Sequence, residues 1–140
     1  MEMTGTERRE FPSLLEELGR VRRFVVGVVA GHPAEDDVVL AVSELAANAV
    51  EHSAARRDDS FEVRITHLAD AVRVEVHDHG GAGRPRPGVA GAEATRGRGL
   101  FLVDHLSRDW GITHKPDHTD VWCEIGCTCT ESTGLGTAAA

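Results

Sequence analysis

The sequence has no apolar run that could cross a bilayer. None approaches the ~20 residues a membrane-spanning helix needs, and Met1 to Glu10 is polar, without the apolar core of a signal peptide. The expected compartment is therefore the cytoplasm, with no membrane partner. Cysteines number only 3, an odd count that suits a reducing compartment better than a disulfide framework. A basic excess is also missing, since 15 Lys and Arg face 23 Asp and Glu, for a formal net charge of -8. Nucleic-acid binders usually present a basic surface, so no direct contact with DNA or RNA is expected. No Gly-x4-Gly-Lys-Ser/Thr is present, which excludes a P-loop. No Gly-x-Gly-x-x-Gly follows a strand, so a dinucleotide site is not indicated. There is no internal repeat.

What is there is a chain of 140 residues, the usual size of one domain, with 41% hydrophobic and 27% charged residues. Those values argue against wholesale disorder. Residues 1–10 read as a flexible leader, 11–126 as the folded domain and 127–140, rich in Thr, Gly and Ala, as a disordered tail. Ser13-Leu14-Leu15-Glu16 has the capping-box pattern. Leu14, Leu18, Val21, Val25 and Val28 then mark one apolar helix face running to about Ala30, where Gly31 and Pro33 stop it. A second helix opens on Glu35, Asp36 and Asp37, which suit the positive end of the helix dipole. Its stripe is Val38, Val42, Leu45 and Ala49.

The period then changes. Phe61, Val63 and Ile65, and after a turn near Ala69-Asp70 also Val72, Val74 and Val76, alternate with polar residues as strands do. Asp78 to Arg98 is rich in Gly, Pro and Arg, as lids and binding loops are. Leu100 to Leu106 reads as a third helix, and Gly111–His114 and Val121–Ile125 as two strands joined at Pro116-Asp117. Helices and strands in separate blocks predict an α+β two-layer sandwich, its mixed, mostly antiparallel sheet covered on one face by helices.

Three places carry possible chemistry. Glu44, Asn48 and His52 recur every fourth residue, drifting about 40° per step, and so form one polar stripe beside the apolar one. Asp78 ends a strand of alternating valines and opens the Gly-rich loop. A carboxylate there can only accept hydrogen bonds. Gly97-Arg98-Gly99 precedes a helix, where free amides can hold a phosphate. Each has a plainer explanation when read alone: a solvated helix flank, a turn-forming Asp before Gly80, a flexible turn.

Their order and spacing together are more specific. Ser-Glu-Leu-Ala-Ala-Asn-Ala-Val-Glu-His (43–52) resembles the N-box of the GHKL ATPases, the family of gyrase, histidine kinases and MutL. Val-His-Asp-His-Gly-Gly (76–81) looks like the first glycine box, and Arg-Gly-Arg-Gly-Leu-Phe-Leu-Val (96–103) like the second. Asp-Trp-Gly-Ile (109–112) and Val-Trp (121–122) look like the closing strands, so the resemblance spans about residues 11–126. Within the family the short form resembles bacterial anti-sigma factors that are also serine/threonine kinases, the RsbW- and SpoIIAB-like proteins.

The resemblance implies an ATP site with Mg²⁺. Asn48 would ligate the metal and Glu44 would act as general base. Asp78 would accept from the adenine amine, with Gly80, Gly81, Gly83 and Thr119 beside it. Gly97, Gly99, Leu100, Arg96 and Arg98 would surround the phosphates under a lid of roughly 82–98, and His52 would line the site. The implied partners are a sigma factor and a STAS-type anti-anti-sigma protein, and relatives imply a homodimer. Two departures stand out. The first glycine box runs Asp78-His79-Gly80-Gly81-Ala82-Gly83, so Gly81 or Gly83 must serve as its second glycine. The threonine that commonly precedes the Val-Trp is replaced by Asp120, with Thr119 one residue earlier, a displacement that turns a strand side chain to the other face.

Two competing functions are a nucleotide-gated protein-binding module without phosphotransfer and, more weakly, a metal-dependent hydrolase built on Glu44 and nearby histidines. His77 and His79 would share a strand face with Asp78 on the other, without a third ligand at metal spacing. Cys123 alternates with Val121 and Ile125 and reads as core, whereas Cys127 and Cys129 fit no zinc spacing.

Overall fold

The structure, a computed structural model, describes residues 5–52, 59–78, 100–115 and 118–127, the side chains of His52 and His114 excepted. Strand β1 (Gly5–Pro12) and a 3-10 turn (Leu15–Glu17) lead into helices α1 (Leu18–Val29) and α2 (Glu35–His52). Strands β2 (Ser60–His67) and β3 (Ala71–Asp78) follow. Residues 100–106 are helical (α3), and β4 (Asp109–Lys115) and β5 (His118–Gly126) complete the order.

The sheet runs β1-β2-β3-β5-β4, and each of its four ladders is antiparallel. β3 and β4 point the same way, but β5 lies between them, so the expected mixed sheet contains no parallel ladder among the described residues. The two-layer sandwich itself is present. Phe61, Val63 and Ile65 of β2 and Val72, Val74 and Val76 of β3 turn one face toward the helices, all at most 2% exposed. The other face carries Glu62, Arg64, Arg73, Glu75 and Glu124, with Arg64 paired to Glu62 and Arg73 to Glu75 along their own strands and Arg73 also paired to Glu124 across to β5. α1 answers with Val21, Val25 and Val29, and α2 with Val38, Val42, Leu45 and Ala49. Strict spacing by four makes Val29 the last buried residue of α1, while Val28 packs at the edge. Gly31, at φ 82, ends that helix in the left-handed region glycine tolerates. Among the described residues no helix is long and apolar enough to cross a membrane.

Two expectations are corrected. Residues 5–10 are not a loose leader but most of edge strand β1, paired along its length with β2 from Gly5↔His67 to Pro12↔Ser60. Its exposed run before Phe11 shows no alternation, so the periodic signal of a strand is absent. The backbone ladder holds it, and Phe11 anchors it between Phe24 and Phe61, with ring centroids at 6.0 and 5.8 Å. The capping box does not form either. The α-helix begins only at Leu18, no side chain caps it, and Ser13 Oγ is buried without a hydrogen-bond partner. The Ser13 amide instead donates to the Asp59 carbonyl at 3.0 Å, tying the chain to the strand layer.

Cys123 is core, as its alternation suggested, and burial pushes its thiol up to about 12. On the far face of the sheet, Trp122 of β5 lies over Gly111 of β4, with Arg73 stacked 4.3 Å from its ring centroid. A Cβ at Gly111 would meet the indole at 2.9 to 3.1 Å. Gly111→Ala should therefore cost about 1–3 kcal/mol of stability, read as a lower urea midpoint with unchanged slope. An unchanged midpoint would mean that the indole swings aside freely.

Candidate nucleotide site

Helix α2 presents Leu45, Asn48 and Ala49 on one face, since residues three and four apart align. That face looks onto the ends of β3, β5 and β4. There the register sets Asp78 opposite Thr119, Val76 opposite Val121, and Val121 opposite Ile112. Leu100, the first described residue of α3, closes one side. Together these nine side chains line an open pocket. Its walls are aliphatic and its three polar groups are Asn48, Asp78 and Thr119. Asp78 is only 5% exposed.

The pocket gathers Asn48, Asp78, Leu100 and Thr119, four of the residues singled out from sequence, from four separate elements. The displacement at Asp120 has a plain outcome. Thr119 shares the inner face with Asp78, and Asp120 points to the far side of the sheet beside His77, with 2.5 Å between His77 Nδ1 and Asp120 Oδ1. The threonine is thus on the pocket side because it precedes Asp120. Glu44 lies one turn before Asn48 on α2, half-buried, and does not line the pocket. Gly80, Gly81, Gly83, Arg96, Gly97, Arg98, Gly99 and the side chain of His52 lie outside the described residues, as do the 82–98 lid and the Pro116-Asp117 turn. The sequence reading placed Leu45, Ala49, Val76, Ile112 and Val121 in core or strand patterns without assigning them to the pocket. The available signal was their position within a turn of Asn48 or two rungs, one same-face step, from Asp78 and Thr119.

The donor set suits a flat, amine-bearing heterocycle: aliphatic walls for its faces, a carboxylate acceptor and a hydroxyl for its edge. Asn48 offers one neutral oxygen of the hard type that Mg²⁺ accepts while keeping waters and phosphate oxygens in its shell. No group of three or more His, Cys, Asp or Glu able to hold a metal occurs among the described residues.

A helix-covered antiparallel sheet with such a pocket between its central helix and strand ends is the sandwich of GHKL-type ATP-binding domains. Over residues 11–125 the chain matches the histidine kinase-like ATPase domain, and it belongs to that family. No curated protein matches it. Among solved structures it is similar to the RsbU and RsbW domains of Rv1364c from Mycobacterium tuberculosis. The TM-score is 0.64 at 22% identity, over 88% of this chain and 32% of that one. It is also similar to a blue-light activated histidine kinase, EL346 of Erythrobacter litoralis, with a TM-score of 0.51 at 21% identity, over 86% of this chain and 43% of that one. The chain thus spans less than half the length of either, and the likeness is one of fold.

Proposed function

We propose that the protein is a cytoplasmic ATP-binding regulator of the anti-sigma type. It would hold a sigma factor and phosphorylate a serine or threonine of a STAS-type antagonist. The observation that supports this reading is the convergence of Asn48, Asp78 and Thr119 on one aliphatic pocket. Asp78 accepts from the adenine amine, and Thr119 sits across the β3–β5 rung to share that edge. Asn48 gives its side-chain carbonyl to Mg²⁺. The amides around Gly97 and Gly99, with Arg96 and Arg98, hold the phosphates, and Gly80, Gly81 and Gly83 let the chain pass close to the base. Bound ATP supplies the transferable γ-phosphoryl group. Glu44 takes the proton of the acceptor hydroxyl as the new phosphate ester bond forms and ADP departs.

A second reading keeps the pocket and drops the transfer: a catalytically inactive nucleotide-gated protein-binding module. It is favoured by the position of Glu44 outside the pocket lining. Both readings predict that ATP binds and that GTP binds more weakly, because a carboxylate cannot pair with the guanine carbonyl. Calorimetric titration with each nucleotide, with and without Mg²⁺, tests this. Asn48→Ala should remove most of the Mg²⁺ dependence of ATP binding. Equal affinity for ATP and GTP, or an Mg²⁺ dependence that survives in Asn48→Ala, would contradict the assignments.

A further inference from the structure

We propose that His77 and Asp120 are positioning residues for the nucleotide pocket, acting through the backbone from the opposite face of the sheet. This rests on the nucleotide-binding reading above. Asp78↔Thr119 is the last rung of the β3–β5 ladder, and His77↔Asp120 is the rung before it. Ladder ends open most readily, and here the terminal rung carries two of the pocket's three polar groups. Strand alternation puts the side chains of the two rungs on opposite faces. Nothing bound in the pocket would touch His77 or Asp120, yet their pairing fixes the spacing and register of the rung that faces it.

The pair is built for this. His77 lies between two carboxylates, with Nε2 3.0 Å from Glu75 Oε1 and Nδ1 2.5 Å from Asp120 Oδ1. The side chains of His77 and Asp120 are only 13% and 20% exposed, so the contact is poorly screened. Glu75 is in turn held by Arg73 at 3.1 Å. Burial pushes the Glu75 carboxyl up, and the hydrogen bonds from His77 and Arg73 outweigh it and hold the group below its usual range. His118 Nε2 reaches the other Asp120 oxygen at 3.4 Å. On β2, Glu62 stands opposite His77 and is paired with Arg64 at 2.6 Å. The linked groups lie on β3 and β5 and close on the penultimate rung.

The same strands supply the control. Arg73 and Glu124 form an equivalent cross-strand pair on the same face at 3.0 Å, about 13 Å further from the pocket by strand rise. The test is calorimetric ATP affinity and ATP-over-GTP preference on the full chain, at a temperature where every variant is shown folded by circular dichroism. His77→Ala and Asp120→Ala should each weaken ATP binding about tenfold, the usual scale for a lost charged contact, and narrow the preference for ATP. Glu124→Gln should lower the melting temperature and leave the affinity within about twofold. His77→Gln and Asp120→Asn keep the side-chain volume and serve if the alanine variants do not fold. Parent-like affinity in folded His77 and Asp120 variants would overturn the inference, and so would an equal loss in Glu124→Gln. A parent protein that binds ATP while the His77 variants bind it unchanged overturns this inference alone. A parent that binds no ATP overturns the nucleotide reading and this inference with it.

Discussion

Glu44→Ala should bind ATP like the parent and lose phosphoryl transfer to a cognate antagonist by about 10²–10⁴-fold, the range a general base contributes. The first half follows from position. Glu44 is half-buried on α2, outside the pocket lining, while Asn48 one turn later is part of it. A carboxylate near a triphosphate repels it, so removing the charge costs no affinity. The second half follows from chemistry, because positioning and charge stabilisation carry most of a phosphoryl transfer and the base supplies the remainder. The assay follows labelled γ-phosphate at saturating ATP, with each antagonist that co-purifies from the native cell. Transfer to none of the verified partners by the parent would end the kinase reading and leave the nucleotide-gated module standing. Equal transfer by parent and Glu44→Ala would show that another group takes the proton.

Asp78→Asn should weaken ATP binding by about 10- to 100-fold, since hydrogen bonds to a charged group contribute ~1.5–3 kcal/mol and each 1.4 kcal/mol is tenfold. The side chain is buried at the strand end, so water cannot replace the lost acceptor at little cost. An amide in its place offers one oxygen and two N–H donors, which suits a guanine carbonyl better than a carboxylate does. The ratio of ATP to GTP affinity should therefore fall further than overall stability does. Calorimetry with both nucleotides reads it. A variant with parent-like selectivity would place base recognition elsewhere in the pocket.

The sequence revealed those parts of the molecule where one face is buried and the other wet. Val38, Val42, Leu45 and Ala49 on α2, and the valines of β3, have the periods their surroundings impose, and all are buried. The Asp78–Thr119 pairing was half legible. Both residues stood out, but the one-residue displacement at Asp120 seemed to count against contact until the register put Thr119 on the inner face. Strand β1 was illegible because six exposed residues in succession carry no period, and an edge strand needs only its backbone ladder and one anchor, Phe11. The capping box misled because Ser13 has two possible partners. The local pattern favours the helix, while tertiary structure ties its amide to Asp59, distant in sequence. The pocket walls were hidden for a different reason. An aliphatic residue lining a cleft looks the same in sequence as one in the core.

The chain has 2 tryptophans and no tyrosine, so its intrinsic emission comes from two indoles in different settings. Trp122 lies on the far face between Gly111 and the Arg73 guanidinium. Trp110 packs against the core at the joint between α3 and β4, and its Nε1 donates to Asp104 on α3 at 2.7 Å. Leu100, on that same helix, is part of the pocket wall. Any shift of α3 that accompanies filling of the pocket must stretch or break the bond to Asp104 and change the polarity around one indole while the other stays as it was. Emission from the Trp110 indole would report such a shift in a dye-free titration with nucleotide.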